Sequence, residues 1–323
     1  MNLQVRMWIL ITLMFAILYG VIAGVGTYLG AGNVIVYIIM AIGITLFQYL
    51  IGPSMVTSTM KVKWVEPSEE PELHQMIDEM SKKAGIPKPK VGISQVAVPN
   101  AFAFGKSIKD GRVCVTNGIR SLLNKDELKA VIGHELSHIK HRDMIITMVL
   151  SVVPLILYWV GFRIMYGGSL RDNENRGSAA FIGLIAFVLY FISNLLVQYG
   201  SRIREYYADQ GSVKLGNQPH QLASALYKLS YGSAKLKGSK AGQQALHQVE
   251  GLKVFFLNDV SKAYQEFKDM KELDRNFSGT IDEQELLFLR EKQIKLSPSE
   301  KLMELFTTHP NMLKRIKALS SLT

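Results

Sequence analysis

The residues best suited to chemistry in this chain are His134-Glu135-Leu136-Ser137-His138, an HExxH motif framed by apolar residues. Two histidines four positions apart lie on one face of an α-helix, where their imidazole nitrogens can bind one Zn²⁺. Glu135 lies beside that face and is the predicted general base, which takes a proton from the zinc-activated water that attacks a peptide carbonyl. The motif therefore predicts a zinc-dependent hydrolase of peptide bonds.

A second set of oxygen-bearing residues has the spacing of a 12-residue EF-hand loop. Its predicted calcium ligands are Asp274, Asn276, Ser278, Thr280 through its carbonyl, Asp282 and Glu285. Gly279 allows the turn, but Ser278 replaces the usual carboxylate or amide, and the sequence has no second hand to pair with this one. The loop predicts that the chain binds Ca²⁺ as a second metal ion. The alternative is a solvated turn that only resembles the hand.

Four apolar runs predict transmembrane helices in two hairpins, because about 20 residues cross ~30 Å of hydrocarbon. The runs are Met7 to Gly30, Val34 to Ile51, Met144 to Tyr166 and Ala179 to Tyr199. The first is too long for the apolar core of a signal peptide and the second follows at once, so we expect it to be retained. Lys and Arg flank the polar blocks, which predicts a multi-pass protein of the cell membrane with both termini and the polar blocks in the cytoplasm.

The runs also predict the domain organisation. We expect an N-terminal transmembrane hairpin at 1–52, the first half of a cytoplasmic domain at 53–143, a second hairpin at 144–200, and the second half at 201–323 with the EF-hand-like insertion at about 261–295. The net charge of +10 suits basic residues beside anionic lipid. No nucleic-acid-binding module is present in the sequence, so the expected partner is the bilayer and not a nucleic acid. The single cysteine, Cys114, excludes a disulfide framework.

Local signals predict the elements around HExxH. They indicate an amphipathic helix from Glu70 to Gly85 and short strands at Lys90 to Val98, Ala101 to Phe104 and Arg112 to Thr116. Asn124 with Glu127 three residues later predicts a capping box at the start of the helix that carries the motif. A Gly/Ser/Lys-rich stretch from Tyr231 to Gly242 predicts an exposed flexible loop.

The remaining zinc ligand follows from membrane topology. A hairpin returns the chain to the side that it left, so a residue just after the fourth run can meet one just before the third. Glu205 is such a residue and is well placed to be the third ligand; the alternative is that Ser201 to Gln210 is only a charged helix end beside the membrane. Asp209 shares its helix face and is predicted to accept a hydrogen bond from the second nitrogen of a liganding histidine. His141 is predicted to be an interfacial residue, because a metzincin pattern would need a histidine where Met144 stands.

Four segments together resemble the HtpX group of membrane zinc metalloproteases, which are relatives of the CAAX prenyl proteases. They are HELSHIKHRD at 134–143, SRIREYYAD at 201–209, PNAFAFG at 99–105 and THP at 308–310. The resemblance implies that His134, His138 and Glu205 bind one zinc, that Glu135 is the base and that Asp209 supports a ligand. It also implies a mainly α membrane protein with a cytoplasmic α+β domain of gluzincin type and a small β-sheet. The EF-hand-like insertion departs from the plain pattern.

Two further site predictions follow. The tetrahedral oxyanion needs a donor, for which His309 is the candidate with Arg202 behind it; a loop histidine held beside a proline is the alternative for His309. Residues Asn100, Ala101, Phe102 and Ala103 are the predicted edge strand that pairs with an extended peptide, although an ordinary edge strand fits almost as well.

The predicted function is a membrane-integrated zinc endopeptidase that cuts misfolded or damaged membrane and cytosolic proteins, with calcium binding as a modulator. The alternative from another class is a non-proteolytic, calcium-responsive membrane scaffold or chaperone with a structural zinc. A structural site is normally closed by four protein ligands and needs no base, which favours the enzyme. A prenyl-protein endopeptidase is a narrower alternative, but four spans are too few for a large membrane chamber.

Overall fold

The computed structural model describes residues 31–167, 176–237, 272–292 and 297–323, with residues 5, 6, 9, 10, 12–14, 16, 17, 19, 20, 243 and 270. The chain forms two compact units. The first, here the apolar unit, comprises Met1–Ile51 and Ile145–Ile203. The second, here the polar unit, comprises Gly52–Met144 and Arg204–Thr323.

The elements are as follows in chain order: α1 (Ala31–Thr59), β1 (Val62–Trp64), α2 (Pro71–Ala84), β2 (Lys90–Ser94), β3 (Ala101–Phe104), a 3₁₀ turn (Ile108–Asp110), β4 (Arg112–Thr116), α3 (Asn117–Leu122), α4 (Lys125–His141), α5 (Asp143–Gly167), α6 (Arg176–Lys214), α7 (Pro219–Lys237), α8 (Glu283–Glu291), α9 (Pro298–Leu305) and α10 (Met312–Leu319). Helix α4, which carries HExxH, begins with the predicted capping box between Asn124 and Glu127.

Three helices in the described ranges are long and apolar enough to cross a membrane, at Ile38–Thr59, Asp143–Phe162 and Ala180–Lys214. They correspond to the second, third and fourth predicted spans. The first predicted span, Met7 to Gly30, lies largely outside the described residues and stays a prediction. Helix α6 has 39 residues without a break, so at 1.5 Å per residue it is about 58 Å long and exceeds the hydrocarbon thickness. Its C-terminal part can therefore extend into water.

The polar unit contains a four-stranded sheet in the order β1-β2-β4-β3. Strands β2 and β4 are parallel, whereas β1 and β3 are antiparallel to their neighbours. The hairpin of β3 and β4 has the predicted bounds, and β3 is an edge strand. Two predictions were wrong in detail. Strand β2 ends at Ser94 and not at Val98, and the three-residue β1 was missed because so short a strand has no visible alternation.

A third correction concerns the stretch from Tyr231 to Gly242. Helix α7 continues through Lys237, while residues 238–242 lie outside the described part of the chain. The small residues that suggest a loop serve a helix contact here: a Cβ at Gly232 would lie 3.0 Å from Leu122 Cδ2 and 3.3 Å from Pro99 Cγ. At Gly232, close packing and not chain flexibility therefore explains the small residue.

Helix α7 also supports the HExxH helix. Glu127 in the first turn of α4 accepts hydrogen bonds from Ser224 (2.6 Å) and Lys228 (2.8 Å) of α7. Apolar residues of α4, including Val131, Ile132 and Leu136, are buried in the same core as those of α7. The buried carboxylate of Glu127 is thus paired with Ser224 and Lys228, as a charge inside a protein core must be.

Candidate metal centre

Three side chains converge within the polar unit. Each of His134, His138 and Glu205 offers one ligand atom, and these atoms lie within 4.8 Å of one another. The Nε2 atoms of the two histidines are 3.1 Å apart. Glu205 Oε2 lies 3.5 Å from His134 Nε2, and Oε1 lies 3.6 Å from His138 Nε2. The residues that sequence spacing singled out as zinc ligands are therefore neighbours in space.

The hydrogen-bond partners of the histidines show that the cluster suits a cation. His134 Nδ1 lies 2.9 Å from Asp209 Oδ1, and His138 Nδ1 lies 2.6 Å from Asp143 Oδ2. Each Nδ1 therefore carries the proton that a carboxylate accepts, which directs the lone pair of each Nε2 at the other. Facing lone pairs need a positive charge between them. Accordingly, although burial opposes protonation, hydrogen bonds to Asp209 and Glu205 raise the pKa of His134 to about 9.

The carboxylate behind His138 is a residue that the sequence reasoning missed. Asp209 was predicted to support a histidine, and it lies against His134. Asp143 performs the same role for His138. Helix α4 ends at His141, and the left-handed backbone of the capping residue Arg142 (φ 57°) turns the chain so that Asp143 starts α5.

A buried arginine contacts the carboxylates of the site. Arg315 of α10 is fully buried, and its Nε and Nη2 donate to Asp209 Oδ2 and Oδ1 at 3.0 and 2.7 Å. Its Nη1 lies 3.0 Å from Glu205 Oε2. Burial lowers the pKa of a cation, but the carboxylates of Asp209 and Glu205 outweigh it and keep the pKa of Arg315 raised. Arg315 thus contacts both Glu205, a candidate metal ligand, and Asp209, the partner of His134, through one planar group.

Small residues let the two ligand-bearing helices approach. A Cβ added at Gly211 of α6 would lie 2.2 Å from Ser137 Oγ and 2.7 Å from Ser137 Cβ. A Cβ at Gly133 of α4 would lie 2.9 Å from Ser212 Oγ. Ser212 Oγ also donates to the backbone carbonyl of Ala130 at 2.6 Å. The helices of HExxH and of Glu205 therefore pack closely through these small residues.

Glu135 lies on the same helix turn and is only 4% exposed. Burial is the main cause that raises the pKa of its carboxyl group, and the charge of Glu205 acts in the same direction. His134 and His138 oppose this shift, as does a hydrogen bond from the backbone N–H of Ala103. A carboxylate with a raised pKa is a better proton acceptor near neutral pH.

The two oxyanion candidates have different positions. His309 is buried within the polar unit; its Nε2 lies 3.9 Å from Glu205 Oε1, and its Nδ1 is 2.9 Å from Thr308 Oγ1. Arg202 belongs to the apolar unit, where its guanidinium lies 5.8 Å from the centre of the Tyr199 ring. Among the described contacts, Arg315 of α10 lies against Glu205, a candidate metal ligand.

The EF-hand-like loop is compact. The carboxylate of Asp274 accepts hydrogen bonds from the backbone of Ser278 (2.9 Å) and Gly279 (2.8 Å). That of Glu285 accepts one from Arg275 N at 2.7 Å. Both carboxylates are more than nine-tenths buried. The segment from Tyr264 to Leu273, whose apolar residues suit the entering helix of an EF-hand, lies almost entirely outside the described residues.

The remaining predicted calcium ligands lie within the same turn. Asn276 Oδ1 accepts a hydrogen bond from Ser278 N (2.9 Å), and Ser278 Oγ lies 2.8 Å from Thr280 Oγ1. Asp282 caps helix α8 by accepting from Glu285 N at 2.8 Å. Within the described part of the chain, the loop carboxylates do not converge as the zinc donors do.

Comparison with known proteins gives a consistent result. The sequence profile of Peptidase family M48 matches residues 67–323. The protein named Protease HtpX homolog from Methanothermobacter thermautotrophicus is 50% identical over 228 residues, which cover 71% of this chain and 86% of that protein. A Protease HtpX homolog from Moorella thermoacetica is 32% identical over 298 residues, or 90% of this chain and 84% of that protein.

The fold also resembles a solved structure. The crystal structure of S. mikatae Ste24p matches with a TM-score of 0.52 at 17% sequence identity, over 98% of this chain and 67% of that one. At this level of identity the likeness concerns the fold alone.

Proposed function

The chain belongs to peptidase family M48, and from this premise we propose that it is a membrane-integrated zinc endopeptidase that cuts unfolded segments of misfolded or damaged membrane and cytosolic proteins. The observation that carries the proposal is the convergence of the Nε2 atoms of His134 and His138 with the carboxylate of Glu205, beside Glu135. The combination of HExxH with a later glutamate supports a gluzincin-type site. Family membership favours this enzyme over a scaffold with a structural zinc.

In the proposed mechanism, His134, His138 and Glu205 would hold one Zn²⁺, which would act as a Lewis acid and make water a nucleophile near neutral pH. Glu135 takes the proton of the attacking water and returns it to the leaving amine, for which its raised pKa is suited. His309, with Nδ1 at Thr308 and Nε2 toward the site, donates to the oxyanion.

The edge strand β3 is the proposed platform for the substrate backbone. Thr116 N donates to the carbonyl of Asn100, so Asn100 faces strand β4. Alternation then directs the backbone of Phe102 toward β4 as well, and that of Ala101 and Ala103 away from it. An extended peptide paired at Ala101 would run toward the base, because Ala103 N–H already bonds Glu135. Backbone pairing would explain selection for unfolded chains with little side-chain preference.

Cleavage of casein by the detergent-purified chain tests this function. We expect only zinc-loaded wild type to cut after removal of metal by chelator and reloading. The variant Glu135→Gln should bind zinc but lose roughly 10²- to 10⁴-fold in rate, the usual contribution of a general base. The exposed Glu79→Gln serves as a matched control that retains activity. If both wild type and Glu135→Gln bind zinc and neither cuts, the scaffold alternative replaces the peptidase.

We further propose that the polar unit and both termini are cytoplasmic. The proposal rests on the basic residues that flank the spans, including Lys61, Lys63 and Lys140, and on the uncharged connection between the first two runs. Fusion of a periplasmic reporter enzyme to Thr323 should give no activity, whereas insertion at the loop near Asn173 should give high activity. The reverse pattern would overturn this orientation.

Calcium modulation is also a proposal. The EF-hand-like loop leads into α8, whose last carbonyls at Leu289 and Arg290 accept hydrogen bonds from Lys317 of α10 at 2.6 and 2.5 Å. Helix α10 also carries Arg315, which contacts Glu205. Ordering of the loop by Ca²⁺ could therefore affect Glu205 through the contacts of α8 with α10 and of Arg315 with Glu205.

Calcium titration of thermal stability and of casein cleavage tests the loop. Ser278→Asp restores the usual carboxylate and should tighten Ca²⁺ binding, while Asp274→Ala should abolish it. The exposed Asp126→Asn is the control. If wild-type stability and proteolysis are both indifferent to Ca²⁺ and to Asp274→Ala, the loop is only a turn.

A further inference from the structure

A basic groove lies within the polar unit, separate from the metal centre. Its volume is about 870 Å³, and its walls come from the last turns of α1, from β1 and the segment after it, and from the starts of β2 and β4. The residues that the following steps use are Trp64, His74, Lys88, Lys90, Lys109 and Arg112. Neither the zinc ligands nor the EF-hand-like loop contributes to its lining.

The groove carries excess positive charge. Lys88, Lys90, Lys109 and Arg112 line it, opposed only by the carboxylates of Glu66 and Asp110. Asp110 is already paired with Arg112 at 3.0 Å.

The aromatic wall of the groove holds one of the lysines in place. Lys90 Nζ lies 4.5 Å from the centre of the Trp64 ring, an arrangement that keeps the ammonium over an apolar surface. A concave wall of cations around one aromatic face is suited to a compact anion with an apolar attachment, such as a phosphate ester.

His74 of α2 is part of the same wall. His74 is 92% buried, and its Nε2 hydrogen-bonds the carbonyl of Val65 at 2.9 Å. Its Nδ1 is buried with no hydrogen-bond partner. The hydrogen bond to Val65 ties helix α2 to the segment that follows β1, and both residues line the groove.

The position of the groove favours the phosphate of a lipid headgroup. Ser54, Thr57 and Ser58 line it and are the last residues of the candidate span Ile38–Thr59. At 1.5 Å per residue, these residues lie within about 8 Å of the end of the span. Trp64 follows shortly after, and tryptophan with basic residues is typical of the depth of lipid headgroups.

We propose that this groove binds the phosphate of an acidic phospholipid headgroup, with Lys90 and Lys109 as its principal cationic contacts. The inference is independent of the peptidase activity. It assigns a bound lipid to a defined site, whereas net charge alone indicates only a general attraction to anionic membranes.

Titration calorimetry on the full chain in a zwitterionic detergent tests the site. The probes are dihexanoyl phosphatidylglycerol, dihexanoyl phosphatidylcholine, inorganic phosphate and a tetraglutamate peptide. We expect binding of phosphatidylglycerol, weakened about tenfold or more by Lys90→Gln/Lys109→Gln and weakened further by added salt. The matched control Lys82→Gln/Lys125→Gln removes two exposed lysines elsewhere in the polar unit and should leave the affinity unchanged.

Several results would overturn the proposal. Equal affinity for phosphatidylcholine would remove the role of net charge, and equal affinity for inorganic phosphate would reassign the groove to free phosphate. Preference for tetraglutamate would reassign the groove to acidic protein segments. Equal affinities of the two double variants for phosphatidylglycerol would show that the lipid does not bind in this groove. If Lys90→Gln impairs folding, Lys88→Gln/Lys109→Gln makes the same comparison without disturbing the contact with Trp64.

Discussion

Arg315 is the residue whose removal most directly tests the architecture of the site. Its side chain is fully buried, with contacts of 2.7 and 3.0 Å to Asp209 and 3.0 Å to Glu205. Arg315→Met preserves much of the apolar length but leaves two buried carboxylates without their cation. Breaking a buried pair in this way costs about 3–5 kcal/mol. For a unit of roughly 200 residues this corresponds to a fall of about 6–20 °C in the midpoint of thermal unfolding.

Zinc changes the size of that loss. A bound Zn²⁺ returns positive charge to Glu205, so the zinc-loaded variant should lose less stability than the zinc-free one. By linkage, the upward shift of the unfolding midpoint on adding zinc should then be larger in Arg315→Met than in wild type. Arg315→Lys keeps the charge without the planar fork and should recover only part of the loss.

The assay is thermal unfolding in detergent, with and without zinc, for wild type, Arg315→Met, Arg315→Lys and a control. Arg120→Met is the matched control, because Arg120 pairs with Glu70 at 2.8 Å on the surface and such pairs are worth about 0–1 kcal/mol. If Arg315→Met is no less stable than Arg120→Met, or if zinc shifts both by the same amount as wild type, the reasoning about the buried charge network is refuted.

Three further predictions concern packing, catalysis and the sheet core. Gly211→Ala forces a Cβ to within 2.7 Å of Ser137 Cβ, so we expect the free energy of unfolding to fall by about 1–3 kcal/mol. Zinc binding, measured by competition with a chelator, should also be weaker. The control is Gly52→Ala, where a Cβ meets nothing within 4 Å, and equal results for the two variants would contradict this prediction. His309→Gln should retain zinc but lower kcat for casein roughly 10²- to 10³-fold with little change in KM, whereas unchanged kcat would remove His309 from the mechanism. Burial raises the pKa of Cys114, so its thiol should resist iodoacetamide at pH 8 until the chain unfolds; stoichiometric labelling of the folded protein would show that the sheet core is open.

Sequence alone predicted the features that depend on short-range spacing. The HExxH helix with its capping box, the β3–β4 hairpin and three spans found in the described residues all follow from patterns within one element, where periodicity and caps act locally. The resemblance to the HtpX group is confirmed by the relatives of that name. The proximity of Glu205 to HExxH could also be inferred, because a membrane hairpin restricts where the chain can return.

Tertiary structure alone decided the features that depend on contacts between distant segments. Arg315 lies 181 residues from His134, and nothing in the local pattern of an amphipathic C-terminal helix marks one basic residue as buried. The parallel pairing of β2 with β4 is likewise a long-range choice. The small residues of α7 suggest a loop until their neighbours are known, because glycine serves equally for chain flexibility and for close approach. Spacing along a helix and the return of a membrane hairpin therefore indicated the candidate metal donors, and packing between helices determined what holds them in position.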